Sequence, residues 1–169
     1  MNTRIELLAK FIIATAPIYH DEKTNSRQKA LMETIVGAGV FYLPHGTNLY
    51  SGYMSKAALH ALKKNNKIKL VKEHPFPRKI TGKLCYTDYL KSIQENLENF
   101  EKLYLEKFGR WNYVLKAENN KLIKYSKSDN FIDEKTSYIL SGIELVPIDL
   151  ASIRIIRPQD SEDISVDGY

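Results

Sequence analysis

Hydrophobic and polar positions along this chain recur with two periods, and the change from one to the other marks out its elements. Residues 4–15 place Ile5, Leu8, Phe11 and Ile12 three and four apart, the spacing of a helix that buries one face, and Pro17 is expected to end it. A second helix is predicted from Ser26 to about Val36, with Leu31, Met32, Ile35 and Val36 apolar and Gly37-Ala38-Gly39 as its stop. Residues 40–53, rich in aromatics, read as extended chain and turns. Ser55 then stands where an N-cap belongs, ahead of Ala58, Leu59 and Leu62, so a short helix should run to the polar exit at Asn65-Asn66.

"KIKLV", residues 67–71, alternates Lys67 and Lys69 with Ile68 and Leu70, which is the strand period, and delivers the chain into Glu73-His74. From Thr87 to Phe108, Leu90, Ile93, Leu97, Phe100 and Tyr104 return to helical spacing, predicting one long helix capped by Thr87 and closed by Gly109. "WNYVLK", residues 111–116, reads as a second strand and "AENNKLIKY", residues 117–125, as the helix behind it. A helical segment at 134–140 and an extended one at 142–148 complete the pattern, with no internal repeat. Helices first, then two strands bracketing a long helix, point to an α+β domain rather than to alternating βαβ units.

Composition narrows the class. With 43% hydrophobic residues among 169, the chain is long and apolar enough to bury a core as one domain. The expected organisation is an N-terminal helical and extended region at 1–52, a core at 53–150 and a tail at 151–169, whose last ten residues carry four acids and no base. One cysteine, Cys85, excludes an intramolecular disulfide and any zinc site needing two thiolates, and fits a reducing compartment. The apolar run at 7–16 is interrupted by Lys10 and falls short of the ~20 residues a membrane span needs. No targeting leader is read, so a cytoplasmic protein without membrane association is expected. Lys and Arg outnumber Asp and Glu by 25 to 20, for a net charge of +5, which favours a polyanionic partner. The basic positions gather mid-chain, at Lys63, Lys64, Lys67, Lys69, Lys72, Arg78, Lys79 and Lys83.

Glu73-His74 sits within that basic stretch. A carboxylate that binds a divalent cation beside an imidazole that deprotonates water is a hydrolytic pair. Neighbours on a strand point to opposite faces, so both reach one centre only where the chain bends, and Pro75 and Pro77 suit such a bend. Taken alone, the dipeptide reads first as an ordinary surface pair before a turn. Asn112 opens the second strand, and Asn119 and Asn120 fall early in the following helix. Their amide oxygens can ligate a hard cation or orient an imidazole, although asparagine also serves widely in caps and turns. His20, His45 and His60 read as structural or surface residues, Cys85 has no readable nucleophilic partner, and no glycine-rich phosphate loop is present in the sequence.

"KLVKEHPFP" and "NYVLKAENNKL" together resemble the His-Asn-His, or ββα-metal, endonucleases. A Glu-His-x-x-Pro run is met by Glu73, His74 and Pro77, and a later Glu-Asn-x-x-Leu run by Glu118, Asn119 and Leu122, so the likeness spans residues 53 to about 125. It implies a ββα-metal core with a long helical insertion and an N-terminal helical region. It implies His74 as general base, Asn112 as the residue orienting it, Glu73 as a metal ligand and Asn119 as the ligand from the helix, with Asn120 in that place if the register slips by one. One divalent cation, magnesium or manganese, would serve hydrolysis of DNA phosphodiester bonds, with Lys67, Lys69, Lys72, Arg78 and Lys79 contacting nucleic acid. The sequence departs from the family in having Glu for the commoner Asp, Asn rather than His at the last position, a long insert and no zinc-binding cysteine pairs. The alternative is therefore a noncatalytic nucleic-acid-binding or protein-interaction protein on a degenerate nuclease fold, with the N-terminal helices as candidates for target selection or homodimer contacts.

Overall fold

Two asparagines open the first two helices. Asn2 accepts from the Arg4 N–H at the head of α1 (Thr3–His20). Asn25 accepts from Arg27 and Gln28, and the Gln28 side chain accepts in return from the Asn25 N–H, a capping box at the head of α2 (Ser26–Phe41). In this computed structural model, which describes residues 2–44, 46–125 and 130–156, the chain continues through β1 (Tyr50–Ser55), α3 (Lys56–Lys64), β2 (Val71–Glu73) and α4 (Arg78–Tyr86). It then forms α5 (Leu90–Glu95), α6 (Glu98–Leu103), β3 (Trp111–Val114), α7 (Lys116–Leu122), α8 (Glu134–Leu140), β4 (Leu145–Pro147) and α9 (Leu150–Ile156).

The mixture of helices and one sheet is the expected α+β class. The chain forms two units that interleave along the sequence: a helical one from residues 2–44 and 76–109, and a sheet-bearing one from 46–75, 110–125 and 130–156. The division drawn at residues 52 and 150 follows chain order instead. Most of the acidic tail and His45 lie outside the described residues. Among the described residues no helix is long and apolar enough to cross a membrane.

In the helical unit three sequence expectations are corrected. Pro17 lies inside α1 rather than ending it, because a proline in the last turn forfeits one backbone bond while the residues after it keep helical dihedrals. Gly37-Ala38-Gly39 does not stop α2, which runs on to Phe41. Gly37 is there to let α4 approach: a Cβ at Gly37 would fall 2.0 Å from the Arg78 carbonyl oxygen, and one at Gly82 in α4 would fall 1.9 Å from that of Glu33 in α2. The single helix expected over 87–108 is divided. Thr87 is the C-cap of α4, donating to the Lys83 carbonyl at 3.0 Å, and the unpredicted α4 precedes it. Asn96 separates α5 from α6 by taking the Glu98 N–H onto its own side chain at 2.9 Å, an alternative to continuing the helix. A π-helical turn, Tyr104–Phe108, leads to Gly109, which ends the run as expected. Ile5, Ala9, Ile12, Ala16 and Tyr19 of α1, Val36 and Val40 of α2, and Ile80, Ile93 and Phe100 are buried.

The sheet-bearing unit holds four strands in the order β2-β3-β1-β4. β2 runs antiparallel to β3, β3 parallel to β1, and β1 antiparallel to β4. The strand expected over 67–71 begins only at Val71, and β1 forms within the stretch read as extended chain and turns. Ser55 ends β1 and caps α3 in the same residue, its hydroxyl accepting from the Ala58 N–H at 3.0 Å. Asp133 caps α8, and Gly142, just past its end, adopts φ +67°, the left-handed conformation that glycine takes without cost. Val114, Leu122, Tyr138 and Ile143 form one core cluster of this unit, with Val71 and Leu145 against it.

Candidate functional site

Strand register assembles the site. Glu73 at the end of β2 pairs directly with Asn112 on β3, as Val71 does with Val114 and Lys72 with Tyr113. Side chains alternate along a strand, so Val71, Glu73, Asn112 and Val114 share the face that packs toward Leu122 and Tyr138, while Lys72, Trp111 and Tyr113 share the other.

On the first face a directional chain of hydrogen bonds runs from Ser51 to Glu73. The Ser51 hydroxyl donates to the Asn112 amide oxygen, the Asn112 amide nitrogen donates to the Tyr138 hydroxyl at 2.7 Å, and the Tyr138 hydroxyl donates to Glu73 Oε2. Asn112 and Tyr138 are 3% and 4% exposed, so these groups have exchanged water for one another and each bond polarises the next. Burial pushes the Glu73 carboxyl from its ordinary 4.5 up to about 8, because the charged form loses its hydration.

His74, the next residue, is held separately. Its Nδ1 lies 3.1 Å from the Arg110 carbonyl oxygen, which can only accept, so Nδ1 carries a proton. Arg110 is itself anchored by its guanidinium to the carbonyls of Asn48 at 3.0 Å and Tyr50 at 3.3 Å. Asn112, predicted to orient His74, spends its side chain on Ser51 and Tyr138, and the Arg110 carbonyl takes the orienting place.

A second buried polar contact ties helix starts together. The Ser55 hydroxyl donates to Glu118 Oε2 at 2.5 Å, and the same carboxylate oxygen accepts the Leu115 N–H at 2.9 Å, closing the first turn of α7. Leu122 and Glu118 on the inward side of α7 are buried, Asn119 on its flank is half-buried, and Asn120, on the outer side, is exposed. The structure therefore pairs Glu73 with Asn112 across β2 and β3, leaves His74 just past the end of β2, sets Asn119 on a helix that packs against β2, and turns Asn120 outward. Among the described residues no three His, Cys, Asp or Glu side chains form a group that could hold a metal ion.

The predicted basic contacts fall in both units. Lys67, Lys69 and Lys72 are exposed on the sheet-bearing unit, Lys72 with its ammonium 5.0 Å from the Trp111 ring centroid. Arg78 and Lys79 belong to the first turn of α4, Arg78 exposed with its guanidinium 3.5 Å from the Phe41 ring centroid and Lys79 half-buried. Of the other histidines, His20 bonds the Tyr86 carbonyl through Nε2 at 2.8 Å and His60 is exposed on α3. Cys85 is fully buried, which raises its thiol and leaves it unreactive.

Ser51, Ser55 as a partner of Glu118, and Tyr138 were not among the predicted site residues. Tyr138 offers one signal in the sequence, an amphipathic ring within a helical segment whose hydroxyl must find a partner if buried, but that signal does not say which partner. No family model matches the chain, and no curated protein or solved structure matches it.

Proposed function

We propose that this chain is a metal-dependent endonuclease that hydrolyses DNA phosphodiester bonds, with His74 activating water and Glu73 and Asn119 holding one magnesium or manganese ion. The observation that carries the reading is an order of elements: an antiparallel strand pair, β2 and β3, with an acid-His pair at the end of the first, followed directly by the helix α7. That order, with α4, α5 and α6 set between the strands, is what supports reading a ββα-metal core here.

The His74 tautomer supports its role. With the Nδ1 proton committed to the Arg110 carbonyl, Nε2 is the nitrogen that takes the proton from water. Glu73 and Asn119 fit a hard cation by the chemistry of their oxygens, and magnesium characteristically uses few protein ligands, completing its shell with waters and substrate phosphate. When bound, the ion supplies positive charge against the phosphate and the leaving oxygen. The Asn112–Tyr138 pair holds the Glu73 carboxyl in place on the sheet. Lys67, Lys69 and Lys72, exposed on the same unit as Glu73 and His74, neutralise DNA phosphates.

Incubating the full chain with single- and double-stranded DNA and magnesium or manganese tests the proposal. Cleavage that is lost in His74→Ala and in chelator is expected; absence of cleavage on every substrate, or equal cleavage by His74→Ala, overturns it.

A second reading is a noncatalytic nucleic-acid-binding or protein-interaction protein on a degenerate nuclease fold. What favours it is the closed hydrogen-bond chain, in which a Glu73 oxygen already accepts from Tyr138 as a structural carboxyl would. DNA binding that falls steeply with salt, yet is indifferent to chelator and to His74→Ala, is the result that would select this reading over the first.

A further inference from the structure

Helix α1 carries two apolar stripes, and the fold uses one of them. Ile5, Ala9, Ile12, Ala16 and Tyr19 are buried. The other stripe, Leu7, Phe11, Ala14 and Ile18, advances by four, three and four residues, and its large members are 69%, 39% and 58% exposed for Leu7, Phe11 and Ile18. Continued by the same rule, it reaches Arg4 at one end and Asp21, the C-cap, at the other, both exposed. The sequence positions 4, 7, 11, 14, 18 and 21 are alternating a and d positions of a heptad, the seam along which two helices pack.

The seam is complementary to itself in one direction only. Laid antiparallel on a second copy, with each residue facing the one that sums with it to 25, Leu7 meets Ile18, Phe11 meets Ala14 and Arg4 meets Asp21. A large ring is set against a methyl group, as knobs and holes require, and each end of the seam closes with opposite charges. Laid parallel, the seam would set Arg4 against Arg4, Asp21 against Asp21 and ring against ring. We infer that the Arg4–Leu7–Phe11–Ala14–Ile18–Asp21 face of α1 is a homodimer interface, with two copies of the helix antiparallel about a twofold axis between residues 12 and 13.

The axis passes through the centre of the seam, so both halves of the interface are the same surface, as an isologous dimer demands. From residue 4 to residue 21 the seam is about 26 Å long at 1.5 Å per residue. One helix pair covers less than the ~800 Å² per partner of a standard interface, so dimerisation is expected in the micromolar range, at about 10 µM or above.

Sedimentation equilibrium of the full chain, from about 1 to about 500 µM, should show mass rising from 19.5 kDa toward twice that value. A chain that stays monomeric throughout overturns the inference. Phe11→Gln and Ile18→Gln lie on an exposed face and should leave the thermal unfolding curve unchanged while abolishing the dimer; a dimer constant unmoved by either places the interface elsewhere and also overturns it. Direction is read from charge. Arg4→Asp alone and Asp21→Arg alone should each weaken the dimer several-fold, and the double swap should restore it to within about twofold, since the opposite pairs are then reconstituted in reverse. Asp21 also accepts the Lys23 N–H at 2.8 Å, and Arg4 reaches the Tyr42 carbonyl at 3.4 Å. The double variant loses both local bonds, so recovery reports the pairing alone, and failure to recover rejects the antiparallel arrangement.

Discussion

Replacing Gly37 or Gly82 by alanine tests whether close backbone approach is what holds α2 against α4. Two effects oppose each other. An alanine in a helix interior is favoured over glycine by about 1 kcal/mol, so on propensity alone either substitution stabilises. Against that, the added Cβ would sit 2.0 Å from the Arg78 carbonyl oxygen at position 37, or 1.9 Å from the Glu33 carbonyl oxygen at position 82. An ordinary carbon–oxygen contact is about 3.3 Å or longer, so the helix axes must part by roughly 1.3 Å. The obstacle is backbone on both sides, which no rotamer change relieves, so the upper part of the ~1–3 kcal/mol range for overpacking applies. The net expectation is a loss of about 1–2 kcal/mol for each substitution.

Gly39→Ala is the internal control. It lies in the same helix, but the atom its Cβ would meet is the Leu8 Cδ1 at 2.9 Å, the far end of a flexible side chain, so it should be close to neutral. Urea unfolding followed by far-ultraviolet circular dichroism measures all three. The Gly37→Ala/Gly82→Ala pair should fall short of the sum of its parts, because the first alanine already separates the helices. If Gly37→Ala and Gly82→Ala unfold at or above the wild-type midpoint, the account of this helix crossing is wrong.

Two further perturbations address the sheet-bearing unit. In chelator, with no divalent cation to compete for it, the Glu73 carboxyl keeps its proton up to about pH 8 when folded against an ordinary 4.5, so below pH 4.5 folded and unfolded chains are protonated alike, and between these values the folded state alone retains the proton. Stability should therefore decline as pH rises through that window, by up to about 1.4 kcal/mol per unit, and Glu73→Gln should flatten the profile; parallel profiles for the two proteins would contradict the burial argument. Ser55→Ala removes both the cap of α3 and a donor to Glu118, leaving the Ala58 N–H and a buried carboxylate oxygen each one bond short. A loss of about 2–4 kcal/mol is expected from the sum of a cap and an unmet charged acceptor, and an unfolding midpoint for Ser55→Ala equal to that of the wild type would refute it.

Much of the local structure was legible because it is decided within a few residues. Ser55 as N-cap, the helix at 116–122 and the helix over 134–140 follow from side chains acting on backbone groups three positions away, and the strand at Trp111 from its own run of strand-forming residues. The same local rules misread Gly37 as a stop and missed that Asn96 divides the long helix, since each residue type has two uses and only the surroundings choose between them. A glycine can end a helix or admit a neighbouring one, and Arg78, which decides it here, is 41 positions away along the chain.

For the site, the sequence by itself determined the chemistry of the parts: Glu73 beside His74, a proline-bounded bend, and asparagines at the next strand and helix. Only the tertiary structure decided what they meet. Register on β3 set Asn112 opposite Glu73 across an intervening run of helices, brought Ser51 and Tyr138 to the same face, and gave His74 a backbone carbonyl instead of Asn112 as its partner. The reason is physical: periodicity reports which face of an element is apolar, whereas a hydrogen-bonded partner is fixed by strand pairing and burial, and those depend on residues that no local window contains.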